Sequence, residues 1–274
     1  MSLDVVWHDV ECSGYDEDVA LWRRLVERET PGGAGPVLDV GAGTGRISLD
    51  LAARGVAVTA LDSEASLLAA LDNRAAAAGL RVETVVADAR AFALGDARFA
   101  LIIVPMQTLQ LLGGPDGRAA FLRNARAHLA PGGVVAAALA DALDCFDAEH
   151  DGLPQPDAAE LDGVRYASQL LAVIDEGDRA AIHRLRQVED AGGVMTGETH
   201  DVIRLDRVTA AEVAEEAEGL GFVAESALSI PATEVYVGST VVILRGGREL
   251  AQGARLAAGA RPEGETRGTG GLDG

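Results

Sequence analysis

The chain has 274 residues, of which 48% are hydrophobic, and its formal net charge is −20. Such an acidic chain repels the phosphates of nucleic acids unless its basic residues form one patch, and no run of arginines does so. We therefore expect neither nucleic acid nor an anionic membrane as a partner. No apolar run approaches the ~20 residues that span a bilayer, and the acidic N-terminus lacks a signal-peptide layout, so we expect a cytoplasmic protein.

The two cysteines, Cys12 and Cys145, have neither the spacing of metal ligands nor that of a disulfide framework. We therefore expect no metal site.

The first 35 residues are interpreted as an N-terminal arm followed by a helix. Residues 7–15 mix aromatic and polar groups, which would suit either an arm that caps a pocket or one that docks on the surface. Residues 16–29 carry an apolar stripe at helical spacing, with acidic residues early and arginines late, so a helix is predicted there.

Residues 36–140 alternate between short apolar runs and amphipathic segments. Strands are predicted at 36–40, 56–61, 82–87, 99–104 and 134–139, with helices from about residue 44 to 54 and at 65–78 and 118–129. This alternation predicts a Rossmann-like parallel sheet covered by helices on both faces. Ligands of such sheets bind beyond the carboxyl ends of the strands.

The pattern changes at residues 141–208, which begin with a polar loop and continue with strands at 164–174, 180–188 and 199–205. We interpret this segment as an inserted antiparallel β lid. The core resumes at 209–245 with a helix and two strands that supply a terminal antiparallel strand to the sheet. Residues 246–274 have few large apolar groups and are predicted to be a disordered tail.

The segment from Val37 to Arg46 indicates a nucleotide-like ligand, because a buried strand, a glycine turn and a helix follow one another. Dinucleotide-binding turns need a third glycine where this chain has Arg46, and the spacing here is instead Gly41, Gly43, Gly45. Asp62, after the second strand, suits a ribose in either class of ligand. Asp88, after the third strand, suits an adenine amino group.

These segments, together with the end of the 99–104 strand and the turn at 129–133, resemble the class I S-adenosylmethionine-dependent methyltransferases. The resemblance implies that S-adenosylmethionine is the cofactor, with Asp62 on the ribose, Asp88 and Ala89 on the adenine, and the glycine turn under the methionine portion. The cofactor-binding residues expected from the resemblance are Tyr15, Gly41, Ala42, Gly43, Gly45, Asp62, Ser63, Asp88, Ala89, Val104 and Met106.

The sequence after the fourth strand, Val104-Pro105-Met106-Gln107, narrows the acceptor class. It lacks the motif of amino-base nucleic-acid methyltransferases, the Pro-Cys of cytosine C5 enzymes and the aspartate of metal-dependent catechol enzymes. The resemblance that remains is to small-molecule methyltransferases with an antiparallel lid, whose acceptors are amines, amino acids or natural-product scaffolds.

Methyl transfer mainly requires alignment of donor and acceptor, and a base is needed only if the acceptor must lose a proton. The candidate bases are His8, Glu11, Tyr166 and His183. The lid is expected to form the acceptor wall, although an antiparallel sheet with exposed edges could instead be a homodimer contact. An NAD-dependent oxidoreductase and a non-catalytic cofactor-binding or regulatory protein remain as alternatives.

Overall fold

A computed structural model describes residues 2–33, 35–140, 143–233 and 236–247. Two β-sheets organise these residues, one mainly parallel and one antiparallel. The helices are α1 (Leu3–Cys12), α2 (Val19–Glu29), α3 (Arg46–Ala53), α4 (Ala65–Ala77), α5 (Gly114–His128), α6 (Ala148–Asp151) and α7 (Ala210–Glu218).

The strands of the first sheet come from the segments before and after the inserted lid. They are β1 (Val37–Val40), β2 (Val58–Asp62), β3 (Glu83–Val86), β4 (Phe99–Val104), β5 (Leu129–Ala140), β11 (Phe222–Ala224), β12 (Leu228–Ile230) and β13 (Ser239–Gly246). The lid contributes β6 (Phe146–Asp147), β7 (Asp157–Leu161), β8 (Val164–Asp175), β9 (Arg179–Glu189) and β10 (Met195–Asp206).

The first sheet has the order β11-β13-β5-β4-β1-β2-β3, with β12 paired to β13. Strands β1 to β5 are parallel, whereas β13 runs antiparallel to β5. Residues 101–104 of β4 are fully buried, because helices cover both faces of the sheet centre. The predicted fold class, a Rossmann-like sheet with a terminal antiparallel strand and an inserted antiparallel lid, is confirmed.

The N-terminal segment differs from the prediction because it forms helix α1, capped by the Ser2 side chain, rather than an irregular arm. Val5, Val6 and Trp7 are consecutive and all buried. The helix contacts α4 on one side and strands β7 and β8 of the lid on another. A helix packed on two sides has no single apolar stripe, so its helical period is hard to read from sequence.

The second sheet has the order β10-β9-β8-β6, with β7 paired to β8. Strands β8 and β9 match the predicted bounds to within one residue, whereas β10 begins four residues before the predicted start. The sequence did not predict β7, because its residues Asp-Ala-Ala-Glu-Leu contain a single large apolar side chain. The polar loop predicted from residue 141 also contains β6 and the short α6.

The end of the lid is joined to the first sheet by a buried ionic cluster. The Asp206 carboxylate, at the end of β10, accepts from the Gly114 backbone N–H at 2.5 Å and from Arg118 Nη1 at 3.0 Å. Arg118 is 4% exposed and also donates to Glu216 of α7 at 2.6 Å and 2.9 Å. One arginine of α5 therefore ties together the lid and α7.

The predicted tail begins one residue too early, because Gly246 still belongs to β13. Residues 248–274 lie outside the described residues. Among the helices of the described ranges, none has both the length and the apolar character that crossing a bilayer requires.

We expect Arg118→Met to lower the free energy of unfolding by about 3 kcal/mol, since it leaves two carboxylates without their buried partner. The loss lies at the low end of the range for a broken buried pair, because Arg179 Nε still lies 3.4 Å from Asp206. Urea unfolding measures the change. The matched control is Arg123→Met, at an exposed position of the same helix. Equal unfolding midpoints for the two variants would contradict the role of the cluster.

Candidate active site

A cavity of about 610 Å³ lies beyond the carboxyl ends of β1 to β4, between the first sheet and the lid. Its walls come from α1, the glycine turn, the ends of four parallel strands, the lid and the segment before β13. The residues that line the cavity include His8, Glu11, Cys12, Tyr15, Asp39, Gly41, Ala42, Arg46, Asp62, Ser63, Asp88, Ala89, Arg90, Met106, Thr108, Leu111, Asp157, Ile182, Arg184, Ile203, Leu205, Tyr236, Val237 and Ser239.

The glycine turn brings the backbone close to the cavity. Gly41 has φ +72°, and a Cβ added there would overlap the Thr108 side chain of the turn after β4. Met106, at the start of that turn, also has a positive φ of 56°, which is uncommon for a residue with a side chain. Strained backbone of this kind concentrates at ligand sites, and Met106 lines the cavity.

Asp39, the buried acid of β1, was not predicted as a site residue. Ser48 Oγ donates to its Oδ2 at 2.6 Å, whereas Oδ1 has no hydrogen-bond partner among the described residues. Burial raises the pKa of this carboxyl to about 6, although the Ser48 hydrogen bond and the nearby Arg46 charge oppose the rise. Asp39 Oδ1 is therefore a buried acceptor beside the cavity that has no donor among the described residues.

Asp62 ends β2 and is held by two backbone N–H groups. Its Oδ2 accepts from Gly43 at 2.8 Å, and its Oδ1 accepts from Glu64 at 2.9 Å. Each carboxylate oxygen keeps a second lone pair, and the side chain lines the cavity. The carboxylate is therefore fixed in orientation and still able to accept from a ligand.

Asp88 follows β3 at the cavity edge, where the Arg90 side chain covers it. Arg90 Nη2 donates to Asp88 Oδ2 at 2.6 Å, and the Arg90 backbone N–H donates to Oδ1 at 2.7 Å. These hydrogen bonds hold the pKa of Asp88 below its ordinary value. Both side chains are about half exposed, so the Arg90 guanidinium can swing away at little cost.

Arg46, which replaces the third glycine of a dinucleotide turn, belongs to a buried ionic cluster. Its guanidinium donates to both carboxylate oxygens of the buried Asp18 at 2.5 Å and 2.8 Å, and to the Tyr15 carbonyl at 2.9 Å. It also lies over the Tyr15 ring, 5.2 Å from the centroid. The Tyr15 ring in turn meets the Tyr236 ring edge-on at 5.0 Å.

Helix α1 is attached to the glycine turn through Asp9. Thr44 Oγ1 donates to Asp9 Oδ1 at 2.8 Å, and Arg74 of α4 forms an ion pair with the same carboxylate. Burial would raise the pKa of Asp9, but hydrogen bonds from His8, Arg74 and Thr44 hold it well below its usual range. The neighbouring His8 ring lies against Gly43.

Two residues later, α1 is attached to the lid through Glu11. Arg186 of β9 donates to both carboxylate oxygens at 2.8 Å and 2.9 Å, and Ser168 of β8 donates at 2.7 Å. Trp7 lies under the Arg186 guanidinium and meets the Tyr166 ring edge-on at 5.6 Å. Residues of one helix thus contact both the glycine turn and the lid.

Eight of the eleven predicted cofactor residues line this cavity, and three do not. Gly43 is covered by His8, and Gly45 lies where an added Cβ would overlap Leu71, so it allows α3 to pack on α4. Val104 is fully buried in the core. The spacing of the glycines in the sequence does not show whether the backbone at each one lies close to a ligand or close to a neighbouring helix.

Of the four candidate bases, His8 and Glu11 line the cavity, whereas Tyr166 and His183 are not among its lining residues. Tyr166 packs on Trp7. On β9 the lining residues are Ile182 and Arg184, so His183 between them points to the opposite face. The expectation that these two side chains meet the acceptor is therefore corrected.

The sequence reasoning missed Asp157 and Tyr236, which line the cavity. It named Arg184, together with Tyr166, Gln169 and His183, among the polar lid residues that could orient the acceptor. Of these four, Arg184 lines the cavity. No local signal distinguishes Asp157 or Tyr236. The described residues contain no cluster of three or more His, Cys, Asp or Glu side chains that could hold a metal ion.

We expect Gly43→Ala to destabilise the protein more than Gly55→Ala. Both glycines have positive φ, which costs an L-residue roughly 1–2 kcal/mol. Only at Gly43 must the added methyl also displace a side chain, that of His8, because nothing lies within 4 Å of the added Cβ at Gly55. Thermal and urea unfolding measure both variants.

The double variant His8→Ala, Gly43→Ala should recover the excess loss, since it removes the displaced ring. Equal destabilisation by the two single variants would show that α1 does not press on the glycine turn.

Comparison with known proteins gives a family and a set of similar folds. Residues 37–133 match a family model described as a methyltransferase domain. No curated protein matches the sequence at a significant level. The solved structures that match include the CcbJ methyltransferase from Streptomyces caelestis, 24% identical with a TM-score of 0.62 over 85% of this chain and 97% of that one.

Two further structures are similar over most of the chain. The glycopeptide N-methyltransferase MtfA, solved with S-adenosyl-L-homocysteine, is 26% identical with a TM-score of 0.56 over 82% of this chain and 86% of that one. An amino pentose methyltransferase from Micromonospora echinaspora, solved with its cofactor, is 23% identical with a TM-score of 0.65 over 88% and 96%. Residues 37–133 are therefore a methyltransferase domain, and the prediction of an S-adenosylmethionine-dependent methyltransferase is confirmed.

Proposed function

We propose that this enzyme methylates an amino group of a small-molecule acceptor that binds between the sheet and the lid. The observation that carries the proposal is one continuous cavity with two kinds of wall. Asp39, Asp62 and Asp88 line it at the strand ends, and lid residues such as Arg184 and Leu205 line it opposite. Donor and acceptor can therefore meet in one enclosed space, which is the main requirement of a displacement reaction.

The residues at the strand ends fit S-adenosylmethionine. Asp39 Oδ1, buried and without a donor, would accept from the ammonium of the methionine portion. Asp62, fixed by two backbone N–H groups, would accept from the ribose hydroxyls through its remaining lone pairs. Asp88 and Ala89 would meet the adenine once Arg90 moves aside. When bound, S-adenosylmethionine supplies a methyl group that is already activated by its sulfonium.

Tyr15, Gly41, Ala42, Ser63 and Met106 complete the proposed cofactor wall, since all five line the cavity. The T-shaped pair of Tyr15 and Tyr236 closes the side between the cofactor wall and the lid. Helix α1 covers the glycine turn and is fixed by Asp9. These side chains orient the two ligands and exclude water, which is the contribution that methyl transfer asks of the protein.

Three ionisable groups of the cavity, Glu11, Cys12 and Tyr15, do not suit an alcohol acceptor. Glu11 has both oxygens engaged by Arg186 and Ser168, and these contacts outweigh burial and hold its pKa below the ordinary value. Burial raises the pKa of the Cys12 thiol to about 11 and also raises that of Tyr15. None of these three groups suits removal of a proton from an alcohol near neutral pH, whereas a neutral amine attacks without one.

His8 is the candidate base that we retain. It lines the cavity, and its Nδ1 lies 3.4 Å from Thr44 Oγ1, so the ring is held beside the glycine turn. It would accept the proton that an amine releases after methylation. Glu11 is reassigned from base to positioning residue, because it ties α1 to the lid.

The compared proteins support an amine acceptor. One is named as a glycopeptide N-methyltransferase and another as an amino pentose methyltransferase. Both names describe small molecules or modified peptides with an amino group.

The direct test is turnover of matched acceptors with S-adenosylmethionine, followed by release of S-adenosylhomocysteine and mass spectrometry of the product. We expect amino sugars and amino-acid amides to gain one methyl group and their hydroxyl analogues to remain unmethylated. Equal methylation of the hydroxyl analogues would contradict the amine assignment. The absence of any methylated product across the panel would contradict the small-molecule proposal.

We expect cofactor affinity to rise about tenfold between pH 5 and pH 7, because the proposed ammonium partner is ionised Asp39. A carboxyl with a pKa of about 6 is mostly protonated at pH 5 and mostly ionised at pH 7. Asp39→Asn should remove this pH dependence and bind at the low-pH level. Calorimetry with S-adenosylhomocysteine, which carries the same ammonium, measures both proteins.

The matched control is Asp62→Asn, which should weaken cofactor binding about tenfold or more at every pH. The rise in affinity between pH 5 and pH 7 should remain in this variant. If the pH dependence of cofactor affinity survived in Asp39→Asn and vanished in Asp62→Asn, the roles assigned to Asp39 and Asp62 would have to be exchanged.

A further inference from the structure

Two charged residues of the lid, Asp157 on β7 and Arg184 on β9, form an ion pair inside the cavity. Arg184 Nη1 donates to Asp157 Oδ2 at 2.7 Å and to Ser168 Oγ at 3.0 Å. The side chains are 19% exposed for Arg184 and 30% for Asp157. Both line the cavity, so the exposed part of the pair is available to a ligand there.

Arg184 has hydrogen-bonding capacity that the described residues do not use. Its contacts are made by Nη1, which leaves Nε and Nη2 without a protein acceptor among the residues that the structure describes. Neither nitrogen is fully buried. Arg186, two residues further along the same face, is different because Glu11 and Asp201 both pair with it and Trp7 lies beneath it.

The pair lines the same cavity as two aromatic rings, those of Tyr15 and Tyr236. Burial raises the pKa of the Tyr236 phenol, and the charge of Asp157 adds to the rise. Tyr236 packs on Tyr15, and Tyr15 packs on Arg46 beside the glycine turn. The ion pair and the Tyr15–Tyr236 pair thus line one cavity together with the proposed cofactor residues.

We infer that Asp157 and Arg184 are the specificity-determining pair that binds adjacent hydroxyl or amide groups of the acceptor. The inference rests on the proposed function, because it assigns the polar wall of the same site. A carboxylate with a free lone pair beside a guanidinium with free N–H groups presents an acceptor next to donors. Two neighbouring hydroxyls, or an amide, can donate a hydrogen bond to Asp157 and accept one from Arg184.

The pair also selects against charge on that part of the acceptor. An anionic group drawn to Arg184 would meet the Asp157 carboxylate, and a cationic group drawn to Asp157 would meet the guanidinium. Because the two charges compensate each other, a neutral polar group loses least on entry. A plain hydrocarbon would leave both charges desolvated without new hydrogen bonds.

The test uses three amines that differ in the groups beside the nitrogen: glucosamine, cyclohexylamine and glucosamine phosphate. Each is titrated by calorimetry into the full chain with saturating S-adenosylhomocysteine, so that the readout is binding and not turnover. We expect glucosamine to bind at least about tenfold more tightly than either of the others. Failure of glucosamine to bind, or equal binding of all three amines, would overturn the inference.

The variants are Asp157→Asn and Arg184→Gln, with Arg204→Gln as the matched control. Arg204 lies on the neighbouring lid strand in an exposed ion pair with Glu176 and is not a lining residue of the cavity. Each of the first two variants should reduce the preference for glucosamine over cyclohexylamine to less than about threefold. The control should keep it, and all three variants should bind S-adenosylhomocysteine like the unmodified chain. An unchanged preference in both pair variants would overturn the inference.

Failure of the inference can be told apart from failure of the proposed function. Selective binding of glucosamine that depends on Asp157 and Arg184, with no methyl transfer to any amine, would support the pair as a binding site and contradict the function. Methyl transfer that is insensitive to both substitutions would support the function and overturn the role of the pair.

Discussion

The attachment of α1 to two different parts of the molecule is the constraint on which the site depends. Asp9 holds the helix to Thr44 of the glycine turn and to Arg74 of α4, while Glu11 holds it to Arg186 and Ser168 of the lid. The two carboxylates are two residues apart, so less than one turn of helix fixes the distance between the glycine turn and the lid. Without helix α1, the cavity would lose one of its walls. The lid would also lose its main contact with the N-terminal part of the chain.

This helix also decides what the glycine turn can do. His8 occupies the space above Gly43, so the turn needs a glycine there even though that residue does not line the cavity. Gly41 is required by the Thr108 side chain, and Gly45 by Leu71 of α4. Three glycines that look equivalent in the sequence therefore serve three different contacts.

Arginine pairs govern the electrostatics of a chain with a net charge of −20. Asp18 is paired with Arg46, Asp206 with Arg118 and Glu11 with Arg186, and in each case a planar guanidinium meets carboxylate oxygens in a partly or fully buried setting. Asp39 is the buried carboxylate in which an oxygen is left without a partner among the described residues. The proposed function assigns this oxygen to the ammonium group of the cofactor.

The sequence by itself determined the parallel sheet, the glycine turn and the acids at the strand ends. These are local properties, because a buried strand needs a continuous apolar run and a tight turn needs glycine. Asp62 and Asp88 followed from strand order alone, since the carboxyl ends of neighbouring parallel strands share one edge. The family resemblance, carried by these same short motifs, gave the cofactor and the reaction class.

Only the tertiary structure decided which side chains enter the cavity from outside the parallel sheet. The choice of Arg184 over His183 depends on which face of β9 turns inward, and one residue of register reverses it. Asp157, Tyr236 and helix α1 reach the site from segments far apart in the chain, and their local sequences carry no signal of that meeting. The strand-end wall of the cavity was therefore largely readable from the sequence, whereas the lid wall was not, because it is made by long-range packing of a lid whose alternation leaves both faces polar.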